Sequence, residues 1–167
     1  MRQIKPSMAH GFTLIEVLIA LLIFGLGVVG VTALTTQSQR ITHQAYQSMT
    51  ATWQLHDIME LIRANASEAR GSSSYIRAYD ADIPAVPSCI TNDTDCSPTL
   101  MAQYDLNQWL TTVSQELPTG SGAIALASNS YTLTVHWDGN RVGAGATNNC
   151  PNTVDTDLMC QQLQFDL

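Results

Sequence analysis

Three groups of residues have types and spacings that could do chemistry. The first is Glu16, the sole charge in an apolar run from Phe12 to Leu34. A carboxylate near the middle of a membrane helix costs about 2.5–3.5 kcal/mol on insertion scales, so it either serves a function or stays hydrated near one end. The second group is four cysteines, Cys89, Cys96, Cys150 and Cys160. Their even number suits disulfides in an oxidising compartment. They include no Cys-x-x-Cys pair, and His43, His56 and His136 are scattered, which disfavours zinc. The third group is two Asp-x-Asp pairs, Asp93 with Asp95 and Asp155 with Asp157. Calcium takes about six to eight oxygens, and a carboxylate pair supplies too few, so solvated turn acids are the simpler reading. We expect no metal and no cofactor. No nucleophile–base arrangement and no Gly-rich phosphate loop is legible, which argues against an enzyme.

These groups need elements to hold them. As a helix, residues 12–34 would rise about 35 Å, more than the roughly 30 Å hydrocarbon core of a bilayer. A buried core helix is the alternative, but the polar, turn-rich remainder is too small to wrap it on all sides. A single membrane span is therefore expected. Arg2 and Lys5 precede it without any acid, whereas the chain from Phe12 on sets five arginines against all fourteen acids, a net charge of −9. A basic flank inside and an acidic domain outside follow from the positive-inside rule, although Arg40 close behind the span weakens the asymmetry. The acidic balance excludes the basic footprint of a nucleic-acid binder.

The cysteines allow three connectivities. Joining Cys89 to Cys96 closes eight residues, and joining Cys89 to Cys160 closes seventy-two. The shorter closure is cheaper by about 2 kcal/mol. Local pairing, Cys89–Cys96 with Cys150–Cys160, is thus expected unless native geometry overrules it.

An ordinary secretory peptide puts its small-residue cleavage site after the apolar run, and no convincing site of that kind follows this one. The boundary of interest lies before the run, at Gly11–Phe12. There, Gly-Phe-Thr-Leu-Ile-Glu followed by a long apolar stretch resembles the class III signal of type IV prepilins and the related pseudopilins. The resemblance covers about 25 residues. It implies cleavage between Gly11 and Phe12 on the cytoplasmic face by prepilin peptidase, which also N-methylates Phe12. Glu16 matches the family's glutamate at the fifth mature position. In a fibre its charge needs a partner, and the new α-amine of Phe12 on a neighbouring subunit would serve as one, making the pair a register device.

Beyond the span, Ile41, Ala45, Ser48, Thr52, Leu55, Met59 and Ile62 mark one face of a continuing helix, with Arg40, Gln44, Gln47, Gln54 and Arg63 mostly on others. The helix is expected to run from Phe12 to about Ala66. Gly71-Ser-Ser-Ser74 breaks it, and a Pro- and Asp-rich loop follows. A second helix is expected from Pro98 to about Leu117, with Ser97 as N-cap. Tyr131, Leu133, Val135 and Trp137 alternate with Thr132, Thr134 and His136 as a strand leading to turn residues Asp138-Gly-Asn140. Leu163, Phe165 and Leu167 mark a last strand, and Ile124–Leu126 is a weaker candidate. Trp53, Trp109 and Trp137 are all expected in the core. The fold class is α+β: a long N-terminal helix, membrane-spanning in its first half, packed on a small antiparallel sheet with one extra helix. The expected organisation is a leader at 1–11, a transmembrane and assembly helix at 12–34, a periplasmic half of that helix at 35–70, and a disulfide-containing head at 71–167.

Within this order, the stretches Met59–Asn65, Trp109–Gly120 and Tyr131–Asp138 resemble the PilV-type minor pilins, or type IV pilus modification proteins. The resemblance implies a structural subunit of the inner membrane and then of the pilus. It would help initiate or modify assembly in a tip complex, supporting adhesion or twitching motility, with prepilin peptidase, other minor pilins and the major pilin as partners. A minor pseudopilin of a type II secretion system, or a tip adhesin or ligand-binding module, is the alternative.

Overall fold

The computed structural model describes residues 11–79, 81–141, 143, 147–151 and 157–167. Most of the expected leader, with Arg2 and Lys5, lies outside them, and so does Asp155. The chain divides into two compact units, Met1–His43 and Gln44–Leu167. One helix, α1 (Leu14–Ala64), contributes to both.

In the first unit every described residue is exposed within the single chain. This part of α1 is apolar and long enough to cross a membrane. Its hydroxyls find acceptors inside the helix: Thr32 donates to the Val28 carbonyl at 2.8 Å and Thr35 to Val31 at 2.9 Å. Such back-bonding hides polar groups that lipid could not satisfy.

In the second unit α1 presents Ala51, Leu55, Ile58, Met59 and Ile62 to the core. The face differs from the expected one at its start. Ile41 is 57% exposed, whereas Gln47 and Thr50 are buried. Asn140, in the turn at residues 138–140, accepts from Gln44 at 3.2 Å, and the Gln47 side chain lies beside Gly139, so polar residues of α1 meet a polar turn there. The helix ends at Asn65 and restarts as α2 (Ala66–Gly71). A single turn, α3 (Ser88–Thr91), follows the loop.

The second long helix, α4 (Pro98–Glu116), begins where its capping residues dictate. Ser97 Oγ accepts from the Leu100 amide, and Pro98 occupies the first turn, where no amide is needed. Its apolar stripe buries Ala102, Leu106, Trp109, Leu110 and Val113. The Trp109 indole donates to the Gln54 carbonyl at 2.9 Å, and Asn65 donates to the Pro98 carbonyl at 2.7 Å. The two helices thus run in opposite senses where they meet.

Three antiparallel strands, β1 (Ser121–Ala127), β2 (Ser130–Trp137) and β3 (Met159–Asp166), form a sheet in the order β1-β2-β3. Gly122 of β1 lies directly against the Trp109 ring, where a Cβ would collide with it. Tyr131 stacks on its register partner Phe165 at 5.5 Å between centroids. Thr134 and His136, which alternate with the apolar residues of β2, are buried as well, at 6% and 4% exposure. The Tyr79 ring, 4.7 Å from that of His136, and the Asn148 carbonyl cover this second face of the strand. Trp53, expected in the core, is 66% exposed on α1, while Trp109 and Trp137 are buried.

Candidate assembly site

The residues singled out for processing sit just outside helical backbone. Gly11, Phe12 and Thr13 precede α1, and the Thr13 carbonyl accepts from the Glu16 amide at 3.1 Å, closing the first turn. Phe12 is 83% exposed. Phe12, Glu16, Val17, Ala20, Leu21 and Phe24 line one open groove along the helix. Glu16 and Phe12 are thus four residues apart on one face, with an apolar surface beside them. Among the described residues the Glu16 carboxylate has no hydrogen bond or ion pair. An acid so placed attracts a cation or a hydrogen-bond donor from outside the chain.

The cysteines lie far along the sequence, in the second unit. Cys89 is joined to Cys96 with Cα atoms 5.3 Å apart, and Cys150 to Cys160 at 5.8 Å. The first bridge closes the loop around α3 just before the cap of α4. The second fixes Cys160 of β3, the register partner of His136. No cysteine is free, so none can hold zinc as a thiolate. The acids divide. Asp93 and Asp95 are exposed, whereas Asp157 is wholly buried and accepts a hydrogen bond from Thr147. Asp157 is therefore no solvated turn acid. No group of three or more potential metal ligands occurs among the described residues.

A buried polar cluster went unread in the sequence. Tyr75, fully buried, donates to Asp105 Oδ2 at 2.6 Å, and Asn65 donates to the Tyr75 hydroxyl at 3.2 Å. Burial raises the Asp105 carboxyl above the usual range, while the Tyr75 hydrogen bond opposes the shift. Burial and the Asp105 hydrogen bond together push the Tyr75 phenol up as well. Nearby, Ser74, Ser72 and Thr99 all donate to Glu68 Oε1, holding its carboxyl below the usual range. Asn65 lies ten residues before Tyr75 and Asp105 thirty after it, and no local spacing announces such a cluster.

Comparison with known families agrees with the N-terminal geometry. Residues 6–32 match the prokaryotic N-terminal methylation motif, and residues 33–107 match type IV pilin Tt1218. The chain is a type IV pilin-like protein. No curated protein and no solved structure matches it. For a pilin, the motif implies processing by prepilin peptidase and assembly with other pilins. The signal and the long apolar helix fit a pilin anchored in the inner membrane. Type IV pilins are structural proteins, which accords with a non-enzymatic role.

Proposed function

We propose that this pilin is a minor subunit that initiates or modifies type IV pilus assembly within a tip or priming complex. In this reading prepilin peptidase cuts between Gly11 and Phe12 and methylates the new amine. The segment from Phe12 to Leu34 then holds the protein in the inner membrane with its head in the periplasm, until both enter the fibre. Glu16 accepts the α-amine of a neighbouring subunit, which sets register as apolar helices bundle. One observation carries the proposal: the methylation-motif match spans Gly11–Phe12 and Glu16, and α1 begins at Leu14 with Glu16 exposed in its first turn. The acidic head with its two disulfides suits an oxidising compartment.

Intact-mass measurement on protein from sheared pili tests this. The expected species lacks residues 1–11 and carries one added methyl group. A mature start at any other residue overturns the processing assignment. Recovery of the chain with a secretion machine and never in pili would replace the minor pilin by a pseudopilin.

A further inference from the structure

A surface on the head carries an inference of its own. Along α1, positions 46, 49, 53, 57, 61 and 64 follow one another at intervals of three or four and so share a face. That face is not the buried one. Tyr46 is 61% exposed, Met49 51% and Trp53 66%, an aromatic stripe of a kind uncommon on a solvated helix. The stripe leads through exposed Asp57 to Leu61 and Ala64. There it meets a pocket of about 260 Å³ between α1 and α4, lined by Leu61, Ala64, Asn65, Cys96, Pro98, Met101 and Asp105.

The walls of this pocket are mostly apolar, and one of its lining groups is an acid. Asp105 is only 6% exposed and takes its hydrogen bond from a neutral phenol. Its charge has no cationic partner: among the described residues the ion pair is Arg63–Glu60, and Arg63 lies over the Phe165 ring instead. Asp57, one turn before Leu61, adds a second negative charge that works against ionisation of Asp105. A buried carboxylate without a counter-charge is costly, and a cation that enters relieves the cost. Apolar walls with an acid among them suit the stem and head of a lysine or arginine.

The geometry points to a docking surface for a different polypeptide, whose apolar segment lies on Tyr46, Met49 and Trp53 and whose Lys or Arg side chain enters the pocket beside Asp105. This rests on the reading that the head stands beside other pilin heads. Charge complementarity selects a different polypeptide over a second copy. From Phe12 on this chain sets five arginines against fourteen acids, a net charge of −9, so two copies would set mostly acid against acid. Exposed Trp and Tyr beside a charged pocket also match the residue types that dominate interface energetics.

The test is photo-crosslinking of the full chain in assembling cells, with p-benzoylphenylalanine replacing Met101 at the pocket rim. The expected product joins Met101 to a Lys- or Arg-containing peptide of another protein. Asp105→Asn retains an acceptor for Tyr75, so the fold survives it. It should lower the cross-link yield at least tenfold, with the melting temperature within a few degrees of the parent, and Asp105→Glu should keep much of the yield. Cross-links to a second copy, to lipid, or to nothing would overturn the proposal. Unchanged yield in Asp105→Asn would do the same. Loss of residues 1–11 is scored in the same samples: failure there sinks the pilin reading, whereas normal processing without a cross-link sinks the pocket alone.

Discussion

The two units of this pilin use one helix under opposite rules. Up to His43, α1 buries nothing within its own chain, and its chemistry is concentrated in Gly11, Phe12 and Glu16. From Gln47 on, the same helix buries a continuous face against α4 and the sheet. On the proposed function the first stretch is satisfied by other molecules, lipid before assembly and neighbouring helices after. The second is satisfied internally, apart from the stripe at Tyr46, Met49 and Trp53. Residues of one helix should therefore differ in what their loss does: in one part it should abolish assembly, in the other it should unfold the head.

Glu16→Val should separate the two rules most sharply. Removing the charge favours insertion, and the head's melting temperature should not move, yet the variant should be at least tenfold depleted from sheared pili. Wild-type incorporation would show that the first region has no register function. The reverse case is Trp109→Ala. Trp109 is 1% exposed, seats β1 through Gly122 and bonds to Gln54, so its loss should cost about 3–5 kcal/mol of head stability. Membrane insertion and leader cleavage should proceed as before, measured by carbonate extraction and intact mass.

Reduction comes next in size. The loops closed by Cys89–Cys96 and Cys150–Cys160 contain eight and eleven residues, and each bridge should stabilise the head by roughly 2.5–3 kcal/mol on the chain-entropy account. Calorimetry of the full chain in detergent should show the head transition falling with reductant, and hardly at all with EDTA. A large EDTA effect would place calcium at Asp93, Asp95, Asp155 or Asp157.

The smallest effect is one of pH. Burial lowers the His136 pKa below its ordinary 6.5, while the Asn148 carbonyl acts in the opposite direction. An unfolded chain therefore takes up a proton that the folded one resists. Stability is full above about pH 6.5 and declines as pH falls, by at most about 1.4 kcal/mol per pH unit. Melting temperatures at pH 7 and pH 5 should differ in the parent and differ less in His136→Gln. Equal slopes would remove His136 from the account.

Much of this architecture is legible in the sequence, because its signals are local. Ser97-Pro98 starts α4, the apolar run makes the first part of α1, and the cysteine pairs are those of shortest closure. The rest depends on the fold. His136 and Thr134 alternate with apolar residues, and Tyr79 and Asn148 come from elsewhere in the chain to cover them. Trp53 reads as core by residue type, and only the placement of α4 and the sheet on another face of α1 leaves it outside. β1 is weak in sequence because Ala123, Ala125 and Ala127 carry little strand preference; its register with β2 supplies what composition does not. The Tyr75–Asp105 pair joins residues thirty apart in sequence, with no periodicity to announce it.

The turn between β1 and β2 has a consequence for the order of folding. Ser128 and Asn129 alone connect the strands, both at positive φ (49° and 71°), the backbone of a tight hairpin whose twist matches its strands. Hairpins of this kind close in about 1–10 microseconds. β3 must instead return across residues 138–158 before Met159 meets Trp137, a search with a larger entropic cost. The sheet should thus be assembled from its β1–β2 edge, and β3 should be the last strand to dock and the first to leave. A partly unfolded head would then keep the hairpin and expose the β2 edge that β3 normally covers.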